Sequence, residues 1–580
     1  MEKESVEFGS EGEQRTESTE VSAGLHAVAL ATAVGLAACG GGGGDAGGPP
    51  PPPPVTISDV EAARFLQQAQ FAATDADIAT LKTQGYANWL NSQYGAILGQ
   101  TGVAWLNARG HNSITAEQRY FWQQFGDFMI WNQLLTGPDQ MRKRVALALS
   151  EYFVVSLTPI DGFYPPYMIA AYWDLLTANA FGSFRALLEK ITLNAAMGLY
   201  LNTRGNLKED QVSGRQPDEN YAREVMQLFT IGLYELNLDG TPKTAAGGLP
   251  IETYVQDDVS NLARVFTGYN YDYTHVTFNT VTWVNYQIPS TQFTTDPMSF
   301  NPADHSNLAA TFLGTTIAAN TAGPEALRLA LDALFNHPNV GPFFGRQMIQ
   351  RLVTSNPSPA YVQRVASAFN NDGGGVRGNL SAVWTAILTD PEARAAPSAN
   401  APLTGKLREP MVRLVQWART VGMRSTSGAF EIYDLSSSAN GLGQSALRSP
   451  SVFNFFRPGY VPPNTALATN NKEAPEFQLL NETTTAGYIN FLEWMVRWGY
   501  GDVQPAYTAL LPIAHDVPAV ITWLNLRLCA NQLSGNSIST MQGALGPLGI
   551  TATSADDAKL NLLASACLMI LSCPEYLVQK

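Results

Sequence analysis

A mainly α fold, a multi-helix globular body with a small β-hairpin or aromatic-loop insertion, is what this sequence predicts, and three observations predict it. From Ser58 onward apolar residues recur at helical spacing, as in SDVEAARFLQQAQF. Cap-type residues and prolines mark one helix start after another, whereas β-branched and aromatic alternation is confined to residues 271–293. Hydrophobic residues make up 45% and charged ones only 14%, a balance that favours a buried core over a disordered chain.

The chain begins with an address. Residues 25–38, LHAVALATAVGLAA, form an apolar run too short to span a bilayer as a stable helix but suited to a signal peptide. It ends in Leu36-Ala37-Ala38-Cys39-Gly40, which resembles a bacterial lipobox, so residues 1–39 are expected to be a lipoprotein-type signal segment. By that resemblance Cys39 is freed by cleavage and acylated, and several acyl chains make a durable membrane anchor. The usual cationic start is replaced by Glu2, Glu4, Glu7, Glu11, Glu13, Glu17 and Glu20, which a start codon assigned too early would explain. Residues 40–57 read as a tether, glycine-rich and flexible first, then a polyproline II spacer rising about 3.1 Å per residue. Gly40 rather than Asp after Cys39 resembles an outer-membrane destination, facing the periplasm or the cell surface.

Residues 58–580 are the helical body, long enough to hold subdomains. Thr74 to Asp77 open a second helix with cap-type residues, and Gly137-Pro138-Asp139 precede a long one, MRKRVALALSEYFVVS. Arg142, Lys143 and Arg144 in it read as a solvated charged face. The formal charge of -14 and the lack of a basic stripe exclude a nucleic-acid footprint. Three cysteines remain besides Cys39, and an oxidising envelope would let Cys529, Cys567 and Cys573 form one disulfide, as a C-terminal staple, and leave one thiol. No phosphate-binding loop, dinucleotide fingerprint or nucleophile elbow occurs.

Residues 217–240, PDENYAREVMQLFTIGLYELNLDG, organise the search for a site. At about 100° per residue, residues 219–230 split into an apolar arc and a polar arc of Glu219, Asn220, Arg223, Glu224, Gln227 and Thr230. Asp218 is placed to cap this helix. The polar arc has no Lys, and it mixes two carboxylates and one guanidinium with neutral hydrogen-bonding groups. A solvated or structurally paired face has that composition, and so does the wall of a polar cleft. In the second case Glu219 and Glu224 are the candidate acid or base, Arg223 positions them, and Asn220, Gln227 and Thr230 are candidate ligand-binding groups.

Metal chemistry finds little support. Residues 235–240 match the front half of a calcium loop, but Ala246 stands where a bidentate Glu is needed, so a plain Asp-Gly turn is favoured over bound calcium. His305 and His337 each stand alone on their segments and read as structural. The aromatics of residues 271–293 suit a buried lid, or a stacking surface for sugars.

RFLQQAQF from Arg64, RKRVALALSEYFVVS from Arg142, NAFGSFRALLEKIT from Asn179, the 217–240 segment, HPNVGPFFGRQMIQRLVTSNPSPAYVQRV from His337, GKLREP from Gly405 and SVFNFFRPGY from Ser451 together resemble the bacterial family catalogued as domain of unknown function 1800 (DUF1800). The resemblance runs from about Val60 to Tyr576. It implies a predominantly helical, exported protein and, as a partner, an exported protein of a second family, DUF1501, which looks like the alkaline-phosphatase and sulfatase group. Gln227 stands where many members carry Glu, and Ala310 near a usual Lys.

Two functions fit. One is a lipid-anchored envelope protein that binds or helps assemble an exported partner or an envelope glycan. The other is an envelope hydrolase or lyase using Glu219 or Glu224, with Arg223 and Asn220 orienting the reaction.

Overall fold

Capping chemistry sets the first two helices. In Asp59–Ala69 the Ser58 side chain takes the Glu61 N–H while the Glu61 carboxylate takes that of Ser58, and Thr74 and Asp77 repeat the exchange at Asp75–Tyr94. The computed structural model describes residues 56–397 and 403–580; the expected signal segment with Cys39, residues 40–55 of the expected tether and residues 398–402 lie outside the described residues. Among the described residues, 23 α-helical segments stand against five sheets of two strands each, which makes the fold mainly α. Residues 56–580 form one compact unit.

Its centre is built from indoles. Trp131 of Gln124–Thr136, Trp173 of Pro165–Asn179, Trp384 of Leu380–Thr389 and Trp417 of Pro410–Val421 are fully buried. Each removes roughly 200 Å² from water, about 5 kcal/mol at about 25 cal/mol per Å² before the entropy of ordering is subtracted.

The structure corrects the reading of residues 142–144. The helix Gln140–Ser150 is enclosed on every side, and Arg142, Lys143 and Arg144 are all buried. Burial is tolerable because the cations find rings and carbonyls: Arg142 lies 4.5 Å from the Phe181 ring centroid and donates to the Ala96 and Thr177 carbonyls. Arg144 Nη2 donates to the Arg351 carbonyl at 2.6 Å. The helix also stops at Ser150, and the following residues turn away to pair Leu157 N–H with the Leu447 carbonyl.

The insertion is a hairpin, with Phe278–Asn279 antiparallel to Ile288–Pro289. Tyr271, Ile288 and Phe293 anchor it in the core, but Tyr273, Phe278, Trp283 and Tyr286 face solvent, so it is not the closed lid that burial would have made of it. Cys529, Cys567 and Cys573 are buried free thiols, so the staple expected among them is not formed here. Cys529 and Cys573 nevertheless lie near enough to shift each other's acidity, while Cys567 is near Trp417 and Tyr507.

Candidate functional site

The amphipathic segment folds as a helix over Asn220–Gln227, shorter than the periodicity suggests. The N-cap is Glu219 rather than the expected Asp218, and it makes no side-chain cap bond, but Asp218 Oδ1 from one residue further back accepts the Asn220 N–H at 2.8 Å. The far end closes early because Leu228 and Phe229 N–H groups both reach the Glu224 carbonyl, after which Gly232 adopts φ 72° and returns its N–H to the Met226 carbonyl.

This truncation scatters the polar arc. Glu219 is held from three sides: Ser260 donates to Oε1 at 2.6 Å, Gln256 to Oε2 at 2.7 Å, and Arg223 Nη2 reaches Oε2 at 3.2 Å. Partial burial pushes the Glu219 carboxyl up, but the Ser260 and Gln256 hydrogen bonds and the Arg223 charge outweigh it and hold it below the usual carboxylate range. Gln256 and Ser260 belong to the next helix, Gln256–Val265, so this part of the arc is a polar seam between two helices. Glu224 is buried, its Oε2 has no hydrogen-bond partner, and burial raises its pKa against the opposing pull of Arg223. Gln227 accepts from the Tyr254 hydroxyl at 2.8 Å. Thr230 is fully buried with its hydroxyl donated to the Val225 carbonyl, so it offers nothing to a ligand. Asn220 is half-buried at the start of the helix. Arg223 therefore pairs with Glu219 and also draws on Glu224, while among the described residues no hydrogen bond joins the two carboxylates to one another.

The other sequence candidates are occupied by structure. Asp239 accepts both the N–H and the hydroxyl of Thr241, closing the Asp239-Gly240 turn on itself. His305 Nδ1 sits 3.0 Å from the Thr267 carbonyl, and His337 Nδ1 accepts the Asn339 N–H. Among the described residues no group of three or more His, Cys, Asp or Glu side chains could hold a metal ion.

Sequence reasoning missed a charged cluster in the interior. Glu151, Arg351, Lys406, Glu409 and Glu476 are all buried around Arg144. Lys406 Nζ lies 2.9 Å from Glu476 Oε1 and 3.9 Å from Glu409 Oε1, and donates to the Arg351 carbonyl at 2.7 Å. Arg351 Nη2 donates to the Glu151 carbonyl at 3.0 Å, and its Nε stands 3.6 Å from Glu151 Oε2. Three acidic groups facing three cations let the charges inside be paired or neutralised, which is what permits so many of them there. Both Glu151 oxygens lack a hydrogen bond, and burial together with the Glu409 charge raises the Glu151 carboxyl well above the carboxylate range. The available clue was charge in a helix apolar all round, RKRVALALS, which has no solvated face to give it.

No curated protein matches the chain, and no solved structure does. A family model described as a protein of unknown function, DUF1800, matches residues 64–578. The chain that builds this helical body, its polar seam and its charged interior therefore belongs to the DUF1800 family.

Proposed function

We propose that this is an exported, lipid-anchored envelope protein that binds or helps assemble an exported partner or polymer. Export and anchoring are supported by the apolar run at 25–38, Cys39 and the Gly/Pro tether, and Gly40 after Cys39 supports an outer-membrane lipoprotein facing the periplasm or the cell surface. The binding reading is carried by the outer face of the insertion, where Tyr273, Phe278, Trp283 and Tyr286 are each 40–47% exposed. Soluble surfaces seldom gather large aromatics in this way without a use for them. The rings are steadied from beneath, Tyr286 against Phe163 at 5.8 Å and Tyr273 against Phe293 at 5.7 Å, so a ligand meets a surface already ordered. A DUF1501-family protein and an envelope glycan are the candidate partners. Capture from detergent-solubilised envelopes with the intact protein is expected to recover one of them, and W283A/Y286A to lose it. Equal capture by that variant, or none by the wild type, would remove the insertion from the reading.

A second reading, an envelope hydrolase or lyase, is favoured by Glu224 alone, a buried carboxyl of raised pKa with one free oxygen. E224Q should then abolish turnover of envelope glycan with little change in melting temperature; unchanged turnover would dismiss it.

A further inference from the structure

A cavity of about 290 Å³ lies at the C-terminal end of the helix Glu482–Trp498, and it shares no residue with the insertion. Strands Met423–Ser425 and Val503–Pro505 pair antiparallel with Arg424 directly opposite Gln504, so both side chains leave the same face of the ribbon and line the cavity. Arg497 and Trp498 close it from the helix end, and Asn561 comes from the helix Asp556–Leu571. Gly499 makes the junction possible. It has φ 83°, and a Cβ there would stand 1.9 Å from the Val503 carbonyl oxygen, so only glycine lets the helix fold straight back toward its strand.

What lines the cavity is unspent. Neither Arg424 nor Arg497 has a carboxylate partner, and the side-chain amides of Gln504 and Asn561 make no hydrogen bond among the described residues. Beside them Trp494 and Trp498, one helical turn apart, hold their rings 4.6 Å from each other while 59% and 54% exposed. Arg497 rests 5.7 Å from the Trp498 ring centroid, which keeps its fork at the cavity edge. Flat indoles suit the C–H face of a sugar ring, free amides suit its hydroxyls, and an unpaired guanidinium takes a carboxylate through two parallel bonds.

We propose that this cleft binds an acidic polysaccharide, a chain of sugar rings bearing carboxylates, with Trp494 and Trp498 as the stacking floor and Arg424 and Arg497 as the carboxylate clamp. The formal charge of -14 repels such a polymer at long range. In physiological salt, screening over about 8 Å leaves the two local cations to decide the contact. The inference goes beyond the insertion surface and fails or stands apart from it.

The test is native gel electrophoresis of the intact protein through gels cast with a soluble polyuronate, at physiological salt, beside gels cast with neutral dextran. The polyuronate should retard the wild type and dextran should not. W498A and R424Q/R497Q should each bind on the order of tenfold more weakly. W494A, altering an exposed ring, guards against loss of fold and should also weaken retardation. No retardation of the wild type, or retardation unchanged in W498A and W494A, overturns the site. Equal retardation by dextran, or by R424Q/R497Q, overturns the acidic ligand class.

Discussion

Arg448 grips Asp127 with two prongs, Nε 2.8 Å from Oδ1 and Nη2 2.7 Å from Oδ2, across 321 residues of sequence and with both side chains buried. The third nitrogen, Nη1, goes to Gln123 at 2.8 Å, so the guanidinium ties the start of the helix Gln124–Thr136 to a distant loop. Removing one member strands the other's charge in the interior. R448M is expected to cost about 3–5 kcal/mol in a denaturant titration, and D127L/R448M to recover much of that, because a buried pair is dear to break and cheap to replace.

Glu575 supplies a pH dependence of known sign. Burial pushes its carboxyl up, but hydrogen bonds from Ser537 and Ser534 overcome this and bring it down to about 2. A depressed folded value stabilises fully above the unfolded one, near 4.5, and the contribution disappears as pH falls toward about 2. Melting temperature should therefore fall in that window, and less steeply in E575Q than in the wild type. The difference will be modest because the group is partly solvated.

At Gly499 a single methyl decides whether the 482–498 helix can end where it does. G499A forces a side chain into φ 83° and against the Val503 carbonyl, and should cost at least about 2 kcal/mol. Because Trp498 is next in the chain, the tryptophan emission of the native state should shift as well; unchanged emission and stability would contradict the junction.

Oxidation should distinguish the three thiols. Cys529 and Cys573 shift each other's acidity, as neighbouring thiols do, so a thiol oxidant such as diamide should join that pair, its two electrons reducing the azo bond, and leave Cys567 alkylatable on unfolding. Peptide mapping without reductant checks this, and a bridge through Cys567 would count against it.

Local physics was legible in the sequence and long-range physics was not. The Ser58 and Thr74 caps act over three residues, and the amphipathic period of 220–227 over eight, so both could be read directly. What covers the polar arc could not, because Gln256 and Ser260 reach Glu219 from 37 and 41 residues away. Residues 142–144 misled for the same reason: charge in a row looks solvated until Arg351, 207 residues on, offers its carbonyl to Arg144.

The charged interior allows one sharper prediction. Glu151 is enclosed, neither oxygen is hydrogen-bonded, and burial followed by the Glu409 charge raises its carboxyl well above the range of an unfolded glutamate. A carboxyl of raised value contributes its stability below the unfolded value, and that contribution is lost as pH climbs toward the folded one. Gln imitates the protonated form in shape and charge, so E151Q should cost little at neutral pH and flatten the decline of melting temperature that sets in as pH rises above the unfolded glutamate value, near 4.5. Lys406 is the opposite case, since its ammonium is paired with Glu476 and faces Glu409. K406M leaves two buried carboxyls without their cation and should cost about 3–5 kcal/mol. If K406M is harmless while E151Q unfolds the protein, the protonation of the cluster is the reverse of that inferred here, with Glu151 as its essential anion.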